Sequence, residues 1–342
     1  MIRVRNISKR YGDHFAIKNI SFDIERGKIY GLLGPNGAGK STTMNIITGC
    51  LSATEGMVTV DGKDIFREPL EAKKKIGYLP EIPPLYSEMT PAEYLAFVAE
   101  AKGVPYEESI RQVKEVLALT GTDVVADRLI RNLSKGYKQR VGIAQALLGN
   151  PEVIILDEPT VGLDPKQMIE IRSLIKELGK TKTVIVSSHI LSEINAVCDH
   201  VMIISHGRLV ASDSIEALEE SVGSEHKLYI TVRGEAQKAL ALLNTIAEVT
   251  DVNEEEPSSI NTCRLSMRFD TNNDPRETIF YKLAENKLPI IDMTTDQVTL
   301  EDIFLRLTSE PLPEEENDTE NENEKDTSDY VPQFAPRKEE DS

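Results

Sequence analysis

Residues 34–42, Gly34-Pro35-Asn36-Gly37-Ala38-Gly39-Lys40-Ser41-Thr42, limit the fold more than any other stretch of this chain. A glycine, four residues and then Gly-Lys-Ser is the phosphate-loop, or Walker A, pattern. Ile29 to Leu33 before it read as a short buried strand, and Ser41 to Thr48 begin a helix. In such a strand–loop–helix, successive backbone N–H groups converge on an anion at the positive end of a helix. The loop therefore predicts a nucleoside triphosphate site built from Gly34, Asn36, Gly37, Gly39, Lys40, Ser41 and Thr42. Lys40 is expected to reach the terminal phosphates, and the Ser41 hydroxyl to hold Mg²⁺.

A phosphate loop needs an acidic partner, and the chain offers one at residues 153–158. Val153-Ile154-Ile155-Leu156-Asp157-Glu158 is an apolar run ending in two acids, a Walker B pattern. It reads as a buried parallel strand whose carboxyl end is where an α/β sheet binds ligands. Asp157 is placed to orient the Mg²⁺ shell, and Glu158 to position and activate the attacking water. Thr183 to Ser187 reads as the next buried strand, with His189 two residues beyond it, beside the expected γ-phosphate.

At 342 residues there is room for about two domains. The formal charge of −18 is uneven: 13 acidic and 3 basic residues from Ser309 onward place −10 there and leave −8 for the rest. An acidic body argues against nonspecific nucleic-acid binding, which depends on neutralising phosphates. Cys50, Cys198 and Cys263 are far apart, have no metal-ligand spacing and fit a reducing compartment. No N-terminal signal pattern is seen, and no apolar run approaches the ~20 residues that cross a bilayer. A soluble chain is expected, with any membrane role supplied by a partner.

The remaining segments organise around the loop. Residues 2–7 and 15–24 alternate apolar and polar positions and read as strands. Tyr11 lies between them, and spacing alone makes it a half-buried strand-end tyrosine. Residues 56–66 read as a hairpin around Asp61-Gly62. Ile76 to Pro80 is a further strand, followed by Glu81. Thr90-Pro91-Ala92-Glu93 is a capping box with proline at the first helical position, opening a helical insert. Asp164-Pro165 caps another helix whose apolar face runs through Met168, Ile171, Leu174, Ile175 and Leu178. From about residue 226 the order changes to strand, helix, strand, strand, helix, strand, which matches a ferredoxin-like unit, and 300–307 adds a helix. The last thirty-odd residues, rich in Glu, Asp and Asn, cannot bury enough apolar surface to fold alone.

One stretch makes the reading specific. Leu133-Ser134-Lys135-Gly136-Tyr137-Lys138-Gln139-Arg140 resembles the signature of ABC transporter ATP-binding subunits, with Lys135 in place of the first of two glycines and Tyr137 in place of glutamine. The resemblance covers about the first 215 residues. It implies ATP and Mg²⁺ as ligands, Tyr11 as the adenine-stacking aromatic, and His189 as the switch histidine on the γ-phosphate. It also makes Gly162-Leu163-Asp164 the loop that crosses a dimer interface. Ser134 and Gly136 would meet the γ-phosphate held by the other protomer. Glu81 stands where the family usually has glutamine, and a carboxylate there can approach Mg²⁺ or water.

The expected organisation is an α/β P-loop ATPase domain of the ABC type over 1–218, with a helical subdomain at about 82–148. A ferredoxin-like accessory domain over 219–308 and an acidic tail over 309–342 follow. The resemblance implies a homodimer or heterodimer of ATP-binding subunits serving export through a separate membrane permease, at the inner face of the cell membrane. No nucleic-acid partner is expected. The rival readings are a non-transport ABC ATPase and a regulatory nucleotide-binding protein.

Overall fold

The strands flanking the phosphate loop are apolar along their whole length because the sheet they form is covered on both faces. In the computed structural model, which describes residues 1–221, 225–255, 261–270, 274–296 and 300–309, this sheet has six strands. Their order is Arg208–Ser214, His200–Ser205, Ile29–Leu33, Thr183–Ser188, Val153–Leu156 and Ile76–Leu79. Neighbours run parallel except the first pair, which is antiparallel. Successive residues serve opposite cores. Leu32, Ile155, Ile185 and Met202 join one, while Leu33, Ile154, Leu156, Val186 and Ile203 join the other. Truncating any of these buried leucines, isoleucines or Met202 to alanine is expected to cost about 2–5 kcal/mol.

The first core is closed by an antiparallel sheet in the order His14–Ile24, Ile2–Tyr11, Glu55–Val60 and Lys63–Asp64. Ile2, Val4, Ile17 and Ile20 from it pack with Met44, Ile46 and Ile47 of the phosphate-loop helix. The expected hairpin turns at Asp61-Gly62, where both residues have positive φ (49° and 80°), as a two-residue type I′ turn requires. The first strand extends to Tyr11, beyond the expected residue 7. Its alternation fades because the register shifts after Val4 and again after Ile7, with Asn6 at a φ of 48°.

The second core holds the helical insert, Pro91–Ala101, Tyr106–Thr120 and Lys135–Leu147, together with Pro165–Gly179 and Leu191–Val197. The capping box forms as expected: the Thr90 side chain accepts from the Glu93 amide, and the Glu93 side chain accepts from the Thr90 amide. Asp164 caps Pro165–Gly179 by accepting from the Gln167 amide.

The described residues between 225 and 296 build a third core of their own. Four antiparallel strands lie in the order Val249–Glu255, Thr262–Asp270, Glu225–Arg233 and Ile290–Asp296. Helices Ala236–Leu243 and Arg276–Glu285 place Ala239, Leu243, Ile279 and Leu283 against Leu228, Ile230 and Leu265. The chain then returns: helix Leu300–Ser309 buries Leu300 and Ile303 in the second core, beside helix Ile215–Ser221. The acidic run from residue 310 lies outside the described residues.

Candidate functional site

The loop at 34–39 is shaped by close backbone approach. A Cβ on Gly34 would lie 2.4 Å from the Ile204 carbonyl oxygen. Gly39 heads the helix Lys40–Ile47 at a φ of 108°, where a Cβ would lie 2.9 Å from the Ala16 carbonyl oxygen. Both positions therefore need glycine. The loop opens onto a cavity of about 620 Å³ lined by Asn36, Gly37, Gly39, Lys40, Ser41 and Thr42 on one side. Glu81, Glu158, Val161 and His189 line the other, with His14 and Ala16 at its rim.

Three ionisable groups converge inside. Lys40 Nζ donates to the Gly34 carbonyl oxygen at 2.9 Å and stands 3.5 Å from Glu158 Oε1. Glu158 Oε2 is 2.9 Å from His189 Nδ1. The Glu158 backbone has a φ of 47°, a left-handed conformation uncommon for a non-glycine residue. Such strain persists only where neighbours impose it. Here they do: the Glu158 amide donates to the Ser187 hydroxyl at 2.8 Å, and that hydroxyl donates to Asp157 Oδ1 at 2.5 Å. Ser187 thus fixes both acids from the neighbouring strand. Its place at the end of an apolar strand was the one available hint, and nothing in local periodicity reveals its partners.

Other expected positions fall elsewhere. Asp157 is 2 % exposed and is not among the residues that line the cavity. Tyr11 is 53 % exposed and does not line the cavity, whereas its cross-strand partner His14 does. Ser134 heads the helix Lys135–Leu147, exposed, with its side chain accepting from the Tyr137 amide. With the buried Gly136 it lines a separate cleft shared with Asp164, Lys166 and Gln167. One chain does not bring Ser134 and Gly136 to the phosphate-loop cavity. Lys135 lines neither space. Together with Lys138, Glu81 and Val161 it borders a third cavity of about 350 Å³. Two of the three departures from the family pattern, Glu81 and Lys135, thus face one space with opposite charges.

The oxygen donors suit Mg²⁺. Ser41, Asp157 and Glu81 offer only hard oxygen ligands, and no cluster of three or more His, Cys, Asp or Glu able to hold a metal occurs among the described residues. Mg²⁺ typically uses one or two carboxylates and completes its shell with phosphates and water. Ser41 and Glu81 border the loop cavity and fit an ion carried in with a nucleotide, while Asp157, bonded to Ser187, does not line it.

Comparison with known proteins agrees with this geometry. Residues 17–161 match the family model described as ABC transporter. The linearmycin resistance ATP-binding protein LnrL of Bacillus subtilis (strain 168) is 34 % identical over 317 residues, covering 91 % of this chain and 99 % of that protein. The chain belongs to the ATP-binding proteins of ABC transporters. This ABC protein is also 32 % identical to the bacitracin transport ATP-binding protein BcrA of Bacillus licheniformis, over 90 % of its own length and 97 % of the relative's. Among solved structures it resembles a dimeric ATP-binding cassette in a post-hydrolysis state bound to ADP and Pi, at a TM-score of 0.56 and 29 % identity. That match covers 63 % of this chain and 98 % of the cassette. The ABC protein is an ATPase, and its P-loop α/β domain is the cassette.

Proposed function

We propose that this ABC ATPase works as a head-to-tail dimer and drives export through a separate membrane permease, at the inner face of the cell membrane. The observation that carries this reading is the division of the site. Lys40, Glu158 and His189 meet in one cavity, while Ser134 and Gly136 are presented at another surface of the same chain. Only a second copy, or a related subunit, can bring the two together over one nucleotide.

In this arrangement the loop amides and Lys40 bind the phosphates, with Ser41 and Asp157, aided by Glu81, holding Mg²⁺. Bound Mg²⁺ supplies positive charge to the phosphate oxygens. Glu158 accepts a proton from the attacking water, and His189, in contact with Glu158, holds that carboxylate in place and faces the γ-phosphate. Rate arises from positioning and charge stabilisation, with ATP itself joining the two protomers. Tyr11, at the end of the strand that meets His14, supports the adenine.

The domain boundaries proposed are 1–218 for the ATPase with its helical subdomain at about 82–148, 219–308 for an accessory domain, and 309–342 for the tail. The strand order of residues 225–296 supports a ferredoxin-like accessory unit. A separate permease fits the described residues, none of whose helices is long and apolar enough to cross a membrane. Relatives named for linearmycin resistance and bacitracin transport support an antimicrobial compound as cargo.

Affinity purification of the chain from membranes of its own cells, followed by reconstitution in vesicles with the membrane protein recovered alongside it, tests the assignment. Recovery of a complex whose ATP hydrolysis rises with cargo supports it. Recovery of the chain without a membrane protein, but bound to nucleic acid at physiological salt, contradicts it.

A further inference from the structure

Behind the Glu158–His189 contact lies a buried carboxylate that has no role above. Glu193, on helix Leu191–Val197, is 6 % exposed. Its Oε2 accepts from the Thr160 hydroxyl at 2.5 Å and from the Ser188 hydroxyl at 3.0 Å. Thr160 follows Glu158 by two residues, and Ser188 immediately precedes His189. The Ser188 hydroxyl also accepts from the Ile190 amide at 3.0 Å, so the network brackets His189 on both sides. One oxygen of one side chain is therefore bonded to both segments that carry the reacting pair.

The other oxygen is treated differently. Glu193 Oε1 is buried without a hydrogen-bond partner, and so is Arg172 Nε. Arg172 Nη2 stands 3.7 Å from that oxygen, outside hydrogen-bond range. Arg172 lies on Pro165–Gly179, the helix that Asp164 caps. A buried acid held by two neutral hydroxyls and an ion pair at 3.7 Å that makes no hydrogen bond is a poor source of stability, since desolvation opposes what these contacts return. Its geometry serves position better than it serves folding.

We propose that Glu193 is a positioning residue for ATP hydrolysis. It ties the loop after Glu158 to the segment carrying His189, and so maintains their 2.9 Å contact. Arg172 connects this clasp to the helix that begins at the dimer-interface loop. The inference rests on the roles proposed above for Glu158 and His189.

Steady-state phosphate release from the full chain tests it with Glu193→Gln, Thr160→Val, His189→Ala and the double variant Glu193→Gln/His189→Ala. Glutamine keeps one acceptor oxygen but turns an amide toward Arg172, while valine removes one hydroxyl donor with little change of shape. Each of these two is expected to lower kcat by about three- to tenfold with KM for ATP unchanged. In the His189→Ala background, Glu193→Gln should cost less than about twofold more, because residues acting through one contact are non-additive. Wild-type kcat in both single variants, or losses that multiply with that of His189→Ala, would overturn the inference. Full activity of His189→Ala would instead overturn the site assignment on which it stands.

Discussion

Lys40 Nζ and Glu158 Oε1 lie 3.5 Å apart, with both side chains less than a tenth exposed, so the phosphate loop and the acid beyond Val153–Leu156 share one buried charge pair. A triphosphate in the loop competes with Glu158 for that ammonium. Breaking a buried pair from one side leaves an uncompensated charge, which typically costs about 3–5 kcal/mol. Lys40→Met should therefore lose ATP affinity and lower the unfolding midpoint in urea. Adding Glu158→Gln should recover much of the stability and none of the affinity. Equal destabilisation in single and double variants would mean that the pair is not coupled.

Ser187 is the second point of leverage. Its hydroxyl accepts from the Glu158 amide and donates to Asp157, so Ser187→Ala strands a buried N–H and releases one acid. The expected stability loss is about 1–3 kcal/mol. Because Asp157 is no longer oriented, the Mg²⁺ concentration giving half-maximal turnover should rise as well. Titration of ATPase activity with Mg²⁺ reads this directly, and an unchanged half-maximum contradicts it.

Glu81 and Lys135 border one cavity, and Glu81 also borders the phosphate loop. Removing the cation by Lys135→Gly should leave the Glu81 carboxylate opposed to the phosphates and weaken ATP binding by about three- to tenfold, the scale of one screened charge interaction. Glu81→Gln in the same chain should restore the affinity when the titration is run without Mg²⁺, so that Glu81 has no ion to hold. Calorimetric titration of the two singles and the double decides the matter. No recovery in the double would show that the two departures are unrelated.

Much of this arrangement is legible in residue order, because phosphate loops and caps are local. The Asp61-Gly62 turn, the Thr90–Glu93 box and the Ser134 and Asp164 caps each depend on neighbours within a few residues, and the phosphate loop declares itself by its local pattern even though Gly34 and Gly39 are enforced by Ile204 and Ala16. Strands apolar on both faces are legible too, since burial on two sides removes alternation. What stays hidden is long-range. Ser187 meets Asp157 across 30 residues, and Glu193 meets Thr160 across 33, contacts made only by strand order. Likewise, the pattern of 300–307 marks a helix but does not reveal that Leu300 and Ile303 return to the second core.

Lys102 offers a test through pH. Its ammonium donates to the Gln145 and Leu148 carbonyls, at 2.7 and 2.9 Å, near the end of helix Lys135–Leu147. Burial of that ammonium pulls it down to about 8, even though the residue as a whole is exposed. The unfolded chain keeps the ordinary value near ~10.4 and so binds more protons between these limits. Lys102 therefore makes stability rise with pH across that window. The unfolding midpoint of wild type relative to Lys102→Met should climb between about pH 8 and pH 10. A flat or falling difference contradicts the assigned direction.

In the proposed dimer, ATP joins two protomers through the loop of one and the serine-headed helix of the other. Light scattering of Glu158→Gln with saturating ATP and Mg²⁺ tests it most directly, because binding is retained while turnover is blocked. A particle of twice the monomer mass is expected with ATP, reverting to monomer when Ser134→Arg is added. A monomer at saturating ATP, or a dimer indifferent to Ser134→Arg, would contradict it.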